Sequence, residues 1–137
     1  AADTCRRLRE DVRKLAPAAP AQPYALKGLG AFPGISRPRV IWCGLDLDAE
    51  ALAALQRSVE DLCAGHGFAR ESRPFSPHLT LARVREGAKV PDELAGYLAE
   101  NRATLYGQSR FDRIVLFKSE LTREGPVYTA LEEVLLG

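Results

Sequence analysis

A chain of 137 residues, 46% apolar and 27% charged, is long enough to bury a core as a single domain spanning residues 1–137 and has the make-up of a water-soluble globular protein. Its formal charge of +1 neither demands nor excludes nucleic acid, because a basic cleft fits within a nearly neutral total. No window reaches the roughly 18 consecutive apolar residues of a membrane span, and the opening residues lack the charged-then-apolar pattern of a secretory signal. Cys5, Cys43 and Cys63 show no CxxC or metal-finger spacing, which suits reduced thiols in a cytoplasmic protein. Cys43 and Cys63 lie in apolar runs, where core packing is the ordinary role.

The chain opens Ala1-Ala2-Asp3 and contains no methionine, so it is expected to be the trimmed part of something longer. Leu8, Val12 and Leu15 recur at helical spacing and predict an amphipathic helix over Asp3–Leu15. The prolines of Ala16-Pro17-Ala18-Ala19-Pro20 stop it and make a short stiff connector. Tyr24–Leu29 reads as a strand, and Gly28-Leu29-Gly30-Ala31-Phe32-Pro33-Gly34 as a turn and loop. Its glycine spacing does not fit a dinucleotide fingerprint, and Pro33 stands where a helix would begin. Val40–Leu45 is a continuous apolar run, expected to be a strand covered on both faces. Asp48 precedes a helix with Leu52, Leu55, Val59, Leu62 and Cys63 on one side and Gly65 near its end.

Phe75–Val84 is the next expected strand. Pro91 opens a third helix with Leu94, Tyr97 and Leu98 inward, and Phe111–Ser119 and Val127–Leu135 form a hairpin closed by a turn at Thr122–Pro126. About five strands and three helices in mixed order predict an α+β fold with a largely antiparallel sheet.

Chemistry concentrates in Arg73-Pro74-Phe75-Ser76-Pro77-His78-Leu79-Thr80-Leu81-Ala82-Arg83. Residues i and i+2 of a strand share a face, so His78 and Thr80 project together while Leu79 and Leu81 turn to the core. An imidazole carries a proton near neutral pH, and a threonine hydroxyl hydrogen-bonds a phosphate oxygen. A histidine capped by a neighbouring hydroxyl at a sheet edge has the same sequence pattern. Simple alternation sends Arg83 to the face of Leu79 and Leu81, unless the strand twists, bulges or ends first.

Pro77-His78-Leu79-Thr80-Leu81-Ala82-Arg83 resembles the second signature of the 2H phosphoesterases, and more narrowly of the bacterial RNA 2',3'-cyclic phosphodiesterases, also called 2'-5' RNA ligases. Gly28–Pro33, Arg37–Trp42, Phe117–Leu121 and Gly125–Thr129 are similar to further segments of that family, in the same order. The resemblance implies a bilobal, pseudo-symmetric fold, helices on the outer face of a largely antiparallel sheet, with the first lobe incomplete in this chain. It implies a metal-independent hydrolase without cofactor, acting on RNA or an oligonucleotide with a 2',3'-cyclic phosphate end and away from membranes. His78 and Thr80 are then the catalytic pair, His78 the base, and Arg83, Phe75 and Ser119 touch substrate. Arg83 equally suits an exposed strand end, and Phe75 suits either base stacking or core packing. Arg37, Arg39 and Arg73 are candidates for the rim of a basic cleft. The family carries two His-x-Thr motifs; this chain has one. His66, the other histidine, has no Thr or Ser two positions on, and is expected to favour the dipole of a helix C-terminus. A monomer is expected. The alternatives are a non-catalytic module that binds RNA ends, an interaction domain without phosphate affinity, and a dimer in which two copies each supply one His-x-Thr.

Overall fold

The computed structural model describes residues 2–15 and 19–137, and the proline connector expected after the first helix falls mostly outside them. In chain order the elements are α1 (Ala2–Leu15), β1 (Gln22–Phe32), β2 (Val40–Leu47), α2 (Ala49–Gly65), β3 (His78–Arg83), α3 (Glu93–Glu100), β4 (Leu105–Phe111), β5 (Arg113–Thr122) and β6 (Gly125–Leu135). The fold is α+β, and its paired strands β1/β2, β2/β3 and β5/β6 are antiparallel. Two compact units divide the chain: Ala1–Gln22, Ala49–Pro74 and Arg110–Gly137 form the first, Pro23–Asp48 and Phe75–Ser109 the second.

In the first unit, α1 buries Leu8 and Val12, one turn apart on its apolar stripe. The opposite chemistry fixes its position: Arg9 and Arg13 donate to the Glu132 carboxylate on β6 at 3.1 and 2.8 Å. His66 lies just beyond α2 and joins Asp11 of α1 through Nε2 at 2.8 Å. His66 thus stands at the C-terminus of α2, as expected, and its side chain in addition ties that end of the helix to α1. The β5–β6 hairpin runs in register from Arg113↔Leu135 to Thr122↔Gly125, which leaves Arg123 and Glu124 as its two turn residues. Gly125 takes φ +123, a conformation that a side chain would strain.

The second unit is a four-stranded sheet in the order β3-β2-β1-β4. Its strands pair with two interruptions. Between Leu26↔Leu45 and Leu29↔Cys43, β1 carries one residue more than β2, and Gly28 in this bulge has φ +82. Between Trp42↔Thr80 and Ile41↔Ala82, β3 carries one residue more, Leu81. The glycine-rich segment after Leu29, expected as a loop, therefore continues β1 to Phe32. Its glycines serve close approach: a Cβ on Gly28 would collide with the Arg102 carbonyl oxygen, and one on Gly30 would collide with the Trp42 ring.

One face of this sheet is apolar. Leu26, Leu29, Ile41, Cys43, Leu79 and Leu81, with Leu94 and Leu98 of α3, line a cavity of about 410 Å³. Leu98 is 1% exposed, and its burial contributes roughly 2 kcal/mol. With only eight residues, α3 covers part of the face. Leu79 and Leu81 consequently remain about half exposed, against the expectation of a closed core, and Tyr97 stands at the cavity wall, not inside. Leu105–Phe111 forms a sixth strand that its weak alternation did not announce.

Candidate active site

The other face of the second unit collects the chemistry. β3 starts at His78 because Pro74 and Pro77 just upstream have no N–H to give a ladder. Paired residues of neighbouring strands share a face, so Gly44↔His78 and Trp42↔Thr80 put His78, Thr80 and Trp42 on one side. The extra residue Leu81 then shifts the phase of β3. Arg83 pairs with Val40, which alternates with Trp42, and Arg83 returns to the side of His78 and Thr80. Plain alternation had sent it to the other side. On β1, Gly30↔Trp42 and Phe32↔Val40 add Phe32 to the same face.

His78 is solvent-exposed, and its Nδ1 lies 2.7 Å from the Ser76 carbonyl oxygen. A carbonyl only accepts, so Nδ1 carries the proton and Nε2 is the basic nitrogen of the neutral ring. The Phe32 ring meets the imidazole edge to face, centroids 5.1 Å apart at 90°. Phe32 in turn leans on Trp42, centroids 5.3 Å apart. Trp42 lies across Gly30, where any Cβ would intrude. Glycine, indole, phenyl and imidazole form a packed series ending at His78, while Thr80 is half-buried beside it. Among the described residues, Arg83 has no carboxylate within ion-pair distance.

The remaining candidates distribute unevenly. Phe75 precedes β3 and is 50% exposed, so it is no core residue. Ser119 belongs to the first unit, paired with Tyr128 on β6 and sharing a hairpin face with Phe117. Arg73, also in the first unit, is taken up by Glu71 at 3.3 Å. Arg37 and Arg39 follow β1 in the second unit. No signal in the sequence singled out Phe32 as a neighbour of His78; the contact depends on the curvature that two bulges give the sheet. No three His, Cys, Asp or Glu side chains cluster among the described residues, and none of their helices is long and apolar enough to cross a membrane.

This arrangement of sheets and helices is that of the LigT-type phosphoesterase structures. The E. coli LigT structure with 3'-AMP matches 99% of this chain and 70% of its own at a TM-score of 0.72 and 22% identity. TT0787 of Thermus thermophilus matches 98% of this chain and 69% of its own at 0.68 and 28% identity. Residues 1–123 match the family described as the 2'-5' RNA ligase superfamily, and the chain belongs to that family. An Aquifex aeolicus relative named RNA 2',3'-cyclic phosphodiesterase is 39% identical over 113 residues, 81% of this chain and 58% of the relative. An Aeropyrum pernix relative of the same name is 40% identical over 109 residues, 80% of this chain and 61% of the relative. The chain thus spans about three-fifths of the length of these relatives.

Proposed function

We propose that the chain acts on RNA ending in a 2',3'-cyclic phosphate, opening the ring to a 2'-phosphate. The observation that carries this reading is the convergence of His78, Thr80 and Arg83 on one open face, with the imidazole anchored through Nδ1. Relatives bearing the name RNA 2',3'-cyclic phosphodiesterase support the same reading.

In the proposed step, Nε2 of His78 takes a proton from water as the water oxygen attacks phosphorus. The P–O3' bond breaks, and O3' leaves with a proton as the 3'-hydroxyl. The Thr80 hydroxyl and the Arg83 guanidinium hold the non-bridging oxygens as charge builds on them. Phe75, ahead of β3 and exposed, is proposed to stack on a base. The reverse reaction of the family joins a 2' end to a 5'-hydroxyl. The proton for O3' is assigned by family resemblance to a second His-x-Thr, and the sequence holds one. His66 is engaged with Asp11 and is not proposed for that role. Three unpaired thiols suit a reducing, cytoplasmic setting, and the protein is proposed to act as a monomer.

The test is conversion of a dinucleotide ending in 2',3'-cyclic phosphate, followed by chromatography of the products, for the protein and its His78→Ala variant. A 2'-phosphate product that disappears in the variant supports the reading. Binding of the dinucleotide without turnover overturns it and favours the module that only holds RNA ends.

A further inference from the structure

Beyond the end of β1, the loop to β2 folds over a recess of about 490 Å³ whose walls include Pro33, Arg37, Pro38, Arg39 and Val84. Two points of the chain link the recess to the strands that bear the face of His78. Phe32, whose ring touches the imidazole, is the residue before Pro33. Its carbonyl accepts the Arg39 N–H at 2.8 Å, and the Arg39 carbonyl accepts the Val84 N–H at 2.8 Å. Val84 follows Arg83, so the floor of the recess is pinned to the strand that carries the site. A rise of about 3.3 Å per residue puts Arg83 roughly 10 Å along β3 from Thr80.

The charge in this recess is unspent. Among the described residues, neither Arg37 nor Arg39 has a carboxylate within ion-pair distance, and both side chains are exposed. Arg6, Arg9, Arg13 and Arg113, by contrast, each hold an acidic partner. Two unpaired guanidiniums beside a backbone-pinned floor suit a phosphodiester oxygen pair, with a sugar against the exposed Pro33.

We infer that this recess binds the phosphodiester of the nucleotide preceding the reacting end, so that the protein distinguishes an RNA strand from a lone nucleoside 2',3'-cyclic phosphate. The inference rests on the ring-opening reading and adds a preference for chain over monomer. An acidic peptide would satisfy the cations alone; the position of the recess next to Arg83, through Val84, favours the strand.

The experiment compares a nucleoside 2',3'-cyclic phosphate with a dinucleotide ending in the same group, for the protein and its Arg37→Ala/Arg39→Ala variant. The dinucleotide is expected to show a KM lower by on the order of tenfold. The variant erases that difference and leaves the nucleoside substrate unaffected. An undiminished preference in the folded variant, judged by circular dichroism, overturns the inference while the ring-opening reading stands. Should neither substrate be opened, that reading fails. Anisotropy of a labelled dinucleotide ending in 2'-phosphate then decides: weaker binding by the variant, with a salt slope reduced by about 0.7, upholds the recess, and equal binding overturns it.

Discussion

Phe32 and His78 stand on strands that flank β2 on opposite sides, yet their rings meet edge to face with centroids 5.1 Å apart. In the ladder, Phe32 sits level with Val40 and His78 level with Gly44, four residues apart along β2. A flat sheet would keep these rings apart. Their contact reports how strongly the second unit curls toward its polar face, with Trp42 filling the bend.

That contact makes Phe32 a positioning residue for the imidazole. Phe32→Leu is expected to leave the Ser76 hydrogen bond in place but loosen the ring, seen as broadened His78 ¹⁵N resonances. Turnover should fall about tenfold with KM unchanged, since misplacement of a base costs rate before it costs binding. Phe32→Tyr should restore most of it. Unchanged His78 resonances in Phe32→Leu would remove the positioning role.

Replacement of His78 itself tests the proton transfer. His78→Ala is expected to lower turnover by about 10²–10⁴-fold without lowering Tm, because the side chain is exposed and contributes little packing. Residual activity within a factor of about three of the parent, measured on the cyclic dinucleotide, would contradict the base assignment.

The phase shift at Leu81 yields a sharper experiment. Deleting this single residue restores continuous pairing of β2 with β3 and leaves Arg83 opposite Val40, on the side of His78 and Thr80. The deletion should then keep the KM of the parent, whereas Arg83→Ala raises it about tenfold. A deletion variant with the raised KM of Arg83→Ala would show that pairing with Val40 alone does not position Arg83.

Gly30 is a test of packing. A methyl group there would overlap the Trp42 ring, so Gly30→Ala should destabilise the fold by about 1–3 kcal/mol, read by urea denaturation, and shift the Trp42 emission. A variant as stable as the parent would mean that the indole can slide aside freely.

Glu132 gives a pH dependence. Arg13, and after it Arg9, hold its carboxyl below the usual carboxylate range. A folded pKa below the unfolded one gives stability that is complete above the unfolded value, about 4.3, and is lost as pH falls through the folded one. The Tm of Glu132→Gln should therefore lie below that of the parent at neutral pH, and the gap should close on acidification below about pH 4. A gap that stays constant down to about pH 2 would point to packing instead of charge.

Much of the architecture was legible because it rests on local pattern. The apolar run Val40–Leu45 announced β2, and the turn chemistry around Gly125 announced the hairpin. What escaped depends on partners. Gly28 and Gly30 look like a turn until Arg102 and Trp42 are packed against them. The side taken by Arg83 is set by register with Val40, which alternation within β3 alone does not reveal. Leu79 and Leu81 carry a core pattern, and a short α3 leaves them half exposed. His78 and Thr80 were legible as a pair because two residues of one strand need no partner to share a side.

The ion pairs that join α1 to β6 span 123 and 119 residues of sequence. Contacts of such separation form late, because the intervening chain must be ordered or at least gathered first. During synthesis, β6 emerges after every other element described, so the first unit waits for it with α1 and α2 already made. The second unit draws only on residues up to Ser109 and has its whole sheet in hand before that moment. The order of emergence thus favours assembly of the surface bearing His78 ahead of the unit that β6 closes.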